Sequence, residues 1–120
     1  MQVPKSPSLK YEETSATKPH MDWTRLKAKE RMEVVRMALD GRSQRQFGIR
    51  LGYDPDADTW GSAERAGRVS ADLMRRLHGI APWLDEGFLK RGQTGNIPSG
   101  ELKRLETVAS DLGFDKRKSA

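Results

Sequence analysis

From residue 22 onward the chain is divided into short amphipathic segments, each opened by a helix-starting residue and most closed by a glycine. Segments of this kind become stable only when their apolar sides are packed on one another. The first helix, predicted over residues 22–40, has its apolar residues at four-three-four spacing: Ala28, Met32, Val35 and Leu39. Its charged residues are expected on the other faces. Because no convincing strand pattern or internal repeat is present, the sequence predicts a compact all-α bundle.

The same signals place five more helices. Ser43 starts a second helix over residues 44–51, in which Gly48 indicates close approach of another helix. Asp54 and Pro55 are expected to start a third helix, running to about Ala66. The remaining predicted boundaries are Ser70 to Gly79, Pro82 to Gly87, and Pro98 to Gly113, with an irregular segment over 88–98.

On the third helix two faces are predicted from the spacing. Ala57, Trp60 and Ala63 repeat every three residues and form the packed face. The outward residues are Asp58, Thr59, Ser62 and Arg65. Trp60 and Trp83 are expected to be core anchors, whereas the role of Trp23 stays open.

Composition excludes several classes of protein. There is no Cys, so neither a disulfide framework nor a thiolate site is possible. No nucleotide, metal or catalytic motif is found, so we expect no enzyme activity and no cofactor. The Asp54, Asp56 and Asp58 series opens like a calcium loop, but Thr59 and Arg65 stand where glycine and the closing acid belong. His20 and His78 are too far apart for a local metal pair.

The 22 Lys and Arg residues exceed the 17 Asp and Glu residues, giving a net charge of +5, which favours a polyanionic partner. No run of residues is apolar enough to form a membrane span or a signal peptide, so a cytoplasmic protein with no membrane partner is expected.

An ordered set of residues resembles the Cro and phage-repressor-like (Xre-like) helix-turn-helix family over about residues 32–87. The matching positions are Ser43 with Gln44, Phe47 with Gly48, Leu51 with Gly52, Trp60, Glu64 with Arg65 and Gly67, and Trp83 with Leu84 and Gly87. The resemblance implies a sequence-specific, duplex DNA-binding transcriptional regulator, most often a repressor, of bacterial or phage type. In such a unit the second helix of the motif enters the major groove.

The resemblance implies that the outward residues of the third helix read bases and that Gln44 contacts a phosphate. The neighbouring cations complete the expected phosphate-binding set: Arg42, Arg45, Arg50 and Arg68. The interval from Leu51 to Trp60 is about two residues longer than is common in the family, and three aspartates stand near the expected DNA surface. Asp58 can instead accept a hydrogen bond from a cytosine amino group.

The expected domains are a disordered arm (1–20), a helix-turn-helix DNA-binding domain (21–92), a linker with a C-terminal helix (93–113) and a basic tail (114–120). A homodimer is expected, since two-fold operators match two-fold proteins. The sixth helix is either the dimer interface or a cover for its own bundle. The alternative function is a helical protein-interaction module, such as an antitoxin or adaptor, with a protein partner and with or without DNA autoregulation.

Overall fold

The computed structural model describes residues 21–116, and within this range all of the regular secondary structure is helical, as predicted. A 3₁₀ turn over Trp23–Arg25 precedes six α-helices, and a second 3₁₀ turn over Phe114–Lys116 follows them. The helices are α1 (Ala28–Leu39), α2 (Gln44–Arg50), α3 (Thr59–Ala66), α4 (Ala71–Ile80), α5 (Glu86–Arg91) and α6 (Ser99–Asp111). The predicted arm over residues 1–20 and the last four residues of the predicted tail lie outside the described residues.

Local capping chemistry sets several of these boundaries. The hydroxyl oxygens of Ser43 and Ser70 accept hydrogen bonds from the backbone N–H groups of Gln46 and Leu73, at 3.2 and 3.0 Å. Gly41, which follows α1, has a φ of +74°, a conformation that favours glycine. Asp22 caps the 3₁₀ turn instead of α1, so the predicted first helix is divided at Leu26.

The predicted start of the third helix is wrong. Asp54 accepts a hydrogen bond from the N–H of Asp56 at 2.8 Å, so it stabilises a turn instead of capping a helix. The helix begins only at Thr59, and Ala57, expected on its packed face, is exposed in this turn. An Asp-Pro pair suits a turn as well as a helix start, and here the turn is formed.

The boundaries around α4 and α5 also differ from prediction. Gly79 does not end α4, which continues to Ile80. Pro82 and Trp83 lie in a turn, and α5 starts four residues beyond Pro82, where the Asp85 side chain caps it. The helix ends at Gly92, which has a φ of +77°, so only residues 92–98 of the segment predicted to be irregular are non-helical.

The core is centred on α1, which packs against α3, α5 and α6. Trp60 is fully buried, as predicted, and Trp83 is partly buried against the core. Trp23 is also buried, with its ring centroid 5.0 Å from that of Phe88 in an edge-to-face contact. Phe114, which we assigned to the tail, is 4% exposed and belongs to the same core.

The sixth helix covers its own bundle. Leu105 and Ala109 are buried against the core, and Arg104 Nη2 donates to the carbonyl oxygen of Ala38 at 2.7 Å. This packing agrees with the second of the two roles expected for the helix, and the dimer interface stays a prediction. Within the described residues, no helix is long and apolar enough to span a membrane.

The expectation that α1 keeps its charges on exposed faces is wrong at two positions. Arg31 and Arg36 are only 3% and 9% exposed. Each buries its guanidinium group because hydrogen-bond acceptors from distant segments surround it. These partners cannot be inferred from the helical periodicity of α1.

Candidate nucleic-acid interface

The α2 and α3 helices are fixed against each other by an aromatic contact. The rings of Phe47 and Trp60 meet edge to face, with centroids 4.7 Å apart and planes at 89°. Gly48 is buried beside them, and a Cβ added there would lie 3.5 Å from Trp60 Cβ. The close approach predicted at Gly48 is therefore the crossing of α2 and α3.

The connection between these helices, residues 51–58, is anchored to α4. The Tyr53 hydroxyl donates to Asp72 at 2.8 Å, and the Arg76 guanidinium lies 4.3 Å from the centroid of the Tyr53 ring. Arg76 Nη1 also donates to the carbonyl oxygen of Leu51 at 2.9 Å. Leu51 and Tyr53 are thus fixed on α4, whereas residues 54–58 of the longer connection are exposed.

Beneath α3 lies a buried ion pair. Arg36 Nε donates to Glu64 Oε1 at 2.9 Å, and the two side chains are 11% and 6% exposed. The indole Nε1 of Trp60 donates to the same carboxylate oxygen at 2.6 Å. Because both oxygens of Glu64 have donors, the carboxylate can remain buried and can hold α3 on α1.

The polar contacts continue from Glu64 to the surface. Gln44 Nε2 donates to Glu64 Oε2 at 2.8 Å, and Gln44 Oε1 accepts from Arg65 Nη1 at 2.8 Å. Arg65 Nη2 pairs with Asp58 Oδ2 at 2.5 Å. We call this series the polar ladder: Arg36, Glu64, Gln44, Arg65 and Asp58. It was not foreseen from the sequence, although Glu64 belongs to the Glu-Arg-x-Gly motif.

The predicted base-reading residues lie on one side of α3. Asp58, Ser62 and Arg65 are exposed, and Thr59 is half-exposed. Asp58 is the residue preceding the helix but makes no capping hydrogen bond, because its carboxylate is turned toward Arg65. The structure therefore brings the four residues together but pairs two of them with each other.

The predicted phosphate-binding residues fall into two groups. Arg42 and Arg50 each lie 2.9 Å from a carboxylate oxygen of Asp40, and Gln44 is held in the polar ladder. Arg45 and Arg68 are exposed, and their side chains make no hydrogen bond or ion pair with the described residues. These two arginines are immediately available to an anion, whereas the others must first exchange or share a partner.

Asp40 is a residue of this region that the sequence analysis missed. A hydrogen bond from Arg42, followed by one from Arg50, holds the pKa of its carboxyl group below the ordinary value, and that pairing raises the pKa of Arg42. The only sequence signal was its position two residues before Arg42. The Asp40 side chain is itself only 2% exposed, so releasing both arginines would leave a buried carboxylate without its donors. A phosphate bound by Arg42 or Arg50 would therefore have to share that arginine with Asp40.

Comparisons of this chain with models of protein families, with curated proteins and with solved structures find no match. Its interpretation therefore depends on its own residues and geometry. Among the described residues, no group of three or more His, Cys, Asp or Glu side chains is arranged to hold a metal ion.

Proposed function

We propose that this protein is a sequence-specific duplex DNA-binding transcriptional regulator that places α3 in the major groove. The observation that carries the proposal is the arrangement of α3. Trp60 and Glu64 fix one side of the helix in the core, while Ser62 and Arg65 on the other side face solvent. A rigid helix with polar side chains directed outward fits the width of the major groove and can reach base edges.

The charge around α3 supports the same partner. Arg45 and Arg68 are exposed without a partner among the described residues, and the whole chain has a net charge of +5. Phosphate contacts of this kind position a protein on DNA and make its binding fall with salt. Asp58, the aspartate that belongs to the proposed reading surface, has its charge compensated by Arg65.

In this proposal Thr59, Ser62, Arg65 and Asp58 form the base-reading surface. The phosphate-binding set is Arg42, Gln44, Arg45, Arg50 and Arg68. The protein acts as a homodimer on a two-fold site, because one short helix reads only a few base pairs. Its location is the cytoplasm, at the nucleoid when DNA-bound.

The experiment is a selection from random duplex DNA on the full-length protein, followed by sequencing. An enriched two-fold motif is the expected result. The absence of any enriched sequence from a folded protein contradicts the proposal.

Salt dependence then tests the phosphate contacts. Arg45→Ala is expected to weaken binding to every duplex and to reduce the slope of log affinity against log salt by about 1. Lys103→Ala, which removes an exposed cation from α6, is the matched control and is expected to leave the slope unchanged. An unaltered slope in Arg45→Ala removes this residue from the proposed set.

A second candidate function, a protein-interaction module such as an antitoxin or adaptor, is favoured by two observations near α3. Asp54 and Asp56 are exposed and pair with no cation among the described residues, and Ile49 on α2 is 38% exposed. An exposed apolar side chain and exposed acidic residues suit a protein partner that offers apolar and basic groups. A stable complex with a co-encoded protein, without selection of any duplex, supports this candidate over DNA binding.

A further inference from the structure

Arg65 is exposed yet held at both ends of its guanidinium group. Its Nη1 donates to Gln44 at 2.8 Å and its Nη2 to Asp58 at 2.5 Å, although the side chain is 57% exposed. An exposed arginine ordinarily samples many rotamers, and fixing it costs conformational entropy. Here two contacts within the protein restrict the side chain before any ligand binds, so less conformational entropy remains to be lost on binding.

The Asp58 carboxylate reaches its position because residue 61 is glycine. A Cβ built on Gly61 would lie 2.8 Å from Asp58 Cγ, and the three nearest heavy atoms to that Cβ all belong to Asp58. Glycine inside a helix is less favourable than alanine, so its presence in α3 requires a compensating reason. The space it leaves is filled by the carboxylate that holds Arg65.

The other contact of Arg65 is tied to the core. Gln44 is itself held by Glu64, whose carboxylate accepts from Arg36 and from the Trp60 indole. Movement of the guanidinium away from Gln44 would therefore disturb contacts that continue into buried residues. Arg65 is therefore positioned by the exposed carboxylate of Asp58 and by the side-chain amide of Gln44, which buried Glu64 holds in place.

We propose that Asp58, Gly61 and Gln44 position the Arg65 guanidinium to read a guanine in the major groove. This inference rests on the proposed DNA-binding function and names the base that Arg65 binds. The two intramolecular contacts use two of the five N–H groups, so three remain for a ligand. Guanine presents two acceptors, O6 and N7, which match the planar fork of arginine. Asp58 acts through Arg65 as a positioning residue and not as a direct acceptor from cytosine.

The test measures discrimination at single base pairs. The probes are the duplex recovered by the random-duplex selection and a set of duplexes in which each G·C pair is replaced in turn by A·T. For the wild-type protein, one such replacement is expected to weaken binding by about 5- to 150-fold. Arg65→Lys retains the charge but loses the planar guanidinium group. The base pair at which its discrimination falls several-fold is the one that Arg65 contacts.

Gly61→Ala is the decisive variant, since it removes no charge and no hydrogen-bonding group but displaces the Asp58 carboxylate. It is expected to lower discrimination at the same base pair several-fold, while discrimination at the other positions stays unchanged. Gly79→Ala is the matched control, because nothing lies within 4 Å of a Cβ at that site in α4. Gly79→Ala is expected to discriminate between G·C and A·T at that base pair as strongly as the wild-type protein does. Asp58→Asn, an exposed substitution, is expected to repeat the effect of Gly61→Ala without adding bulk.

Two results overturn the inference alone: a selected sequence in which no G·C pair discriminates, or unchanged discrimination in both Gly61→Ala and Asp58→Asn. Failure of the selection to enrich any duplex overturns the proposed function and the inference with it. The two failures are distinguished because the first set of results requires an enriched duplex.

Discussion

The two buried arginines of α1 are held in different ways. Arg31 donates only to main-chain carbonyl oxygens, those of Trp23, Leu26, Leu89 and Lys90. Arg36 pairs with the carboxylate of Glu64 and also donates to the carbonyl oxygen of Arg42. The region around Arg31 joins α1 to the N-terminal 3₁₀ turn and to the end of α5, whereas the region around Arg36 joins α1 to α2 and α3.

The difference indicates which region is suited to recognition. The acceptors around Arg31 are backbone atoms, and burial lowers the pKa of its guanidinium group. The contacts around Arg36 are made by side chains and continue through the polar ladder to exposed Arg65 and Asp58. We infer that the first region stabilises the bundle and that the second connects the core to the proposed reading surface.

The largest expected effect on stability comes from replacing Arg31. Arg31→Met leaves several buried carbonyl oxygens without their donors, and we expect the free energy of unfolding to fall by about 3 to 5 kcal/mol. Urea unfolding followed by tryptophan fluorescence measures this loss. Arg45→Met, on an exposed and unpartnered arginine, is the control and is expected to change stability by at most about 0.5 kcal/mol. Equal stability of the two variants would contradict the structural role of Arg31.

Removing the negative charge that pairs with Arg36 is expected to lower both the stability of the protein and its discrimination between duplexes. Glu64→Gln leaves Arg36 buried without its counter-ion, so we expect a loss of about 3 kcal/mol in the free energy of unfolding. Because Gln44 and Arg65 lose their support, discrimination between duplexes should also fall under conditions where the variant is folded. Glu33→Gln, on the half-buried part of α1, serves as the control. Lost stability with unchanged discrimination would separate the polar ladder from recognition.

A smaller effect is expected in acid. The pKa of Asp72 is lowered by its hydrogen bond from Tyr53 and then by that from Arg76, and the pKa of Asp40 is lowered chiefly by Arg42. Carboxylates whose pKa is lower in the folded state stabilise it fully above the unfolded value of about 3.9, and this contribution is lost as pH falls through the folded pKa. Asp40 pairs with Arg50 of α2, and Asp72 accepts from Tyr53 in the turn that follows α2. The acceptors of Arg31 are main-chain carbonyl oxygens, which do not titrate.

Hydrogen exchange at about pH 6 and about pH 3, corrected for intrinsic rates, checks this expectation. The amides of α2 and of residues 51–53 should lose protection before those of α1 that follow Arg31; α5 is a poorer reference because Lys90 lowers the pKa of Glu86 within it. Earlier loss of protection in this part of α1 would show that the two regions do not differ in the way proposed.

Sequence reasoning succeeded where the controlling interactions are local. Ser43 and Ser70 cap the helices that follow them, and the helical spacing of Trp60 predicted its burial. It failed at Asp54, because an Asp-Pro pair favours a turn and a helix start through the same local chemistry.

The burial of Arg31 and Arg36 could not be predicted, since their acceptors lie up to 59 and 28 residues away along the chain. For the candidate site, helical periodicity identified the exposed face of α3. The pairing of Asp58 with Arg65 depends on rotamers and on the space at Gly61, which periodicity does not describe.

The most direct test of the central claim, that α3 reads base pairs, is a parallel selection of random duplexes by the wild-type protein and by Ser62→Arg. Ser62 is exposed on α3 and makes no contact in the core, so the variant should fold normally. The account predicts that both proteins enrich a sequence and that their preferences differ at one position in each half-site. Identical preferences would contradict the claim and would place the reading surface elsewhere.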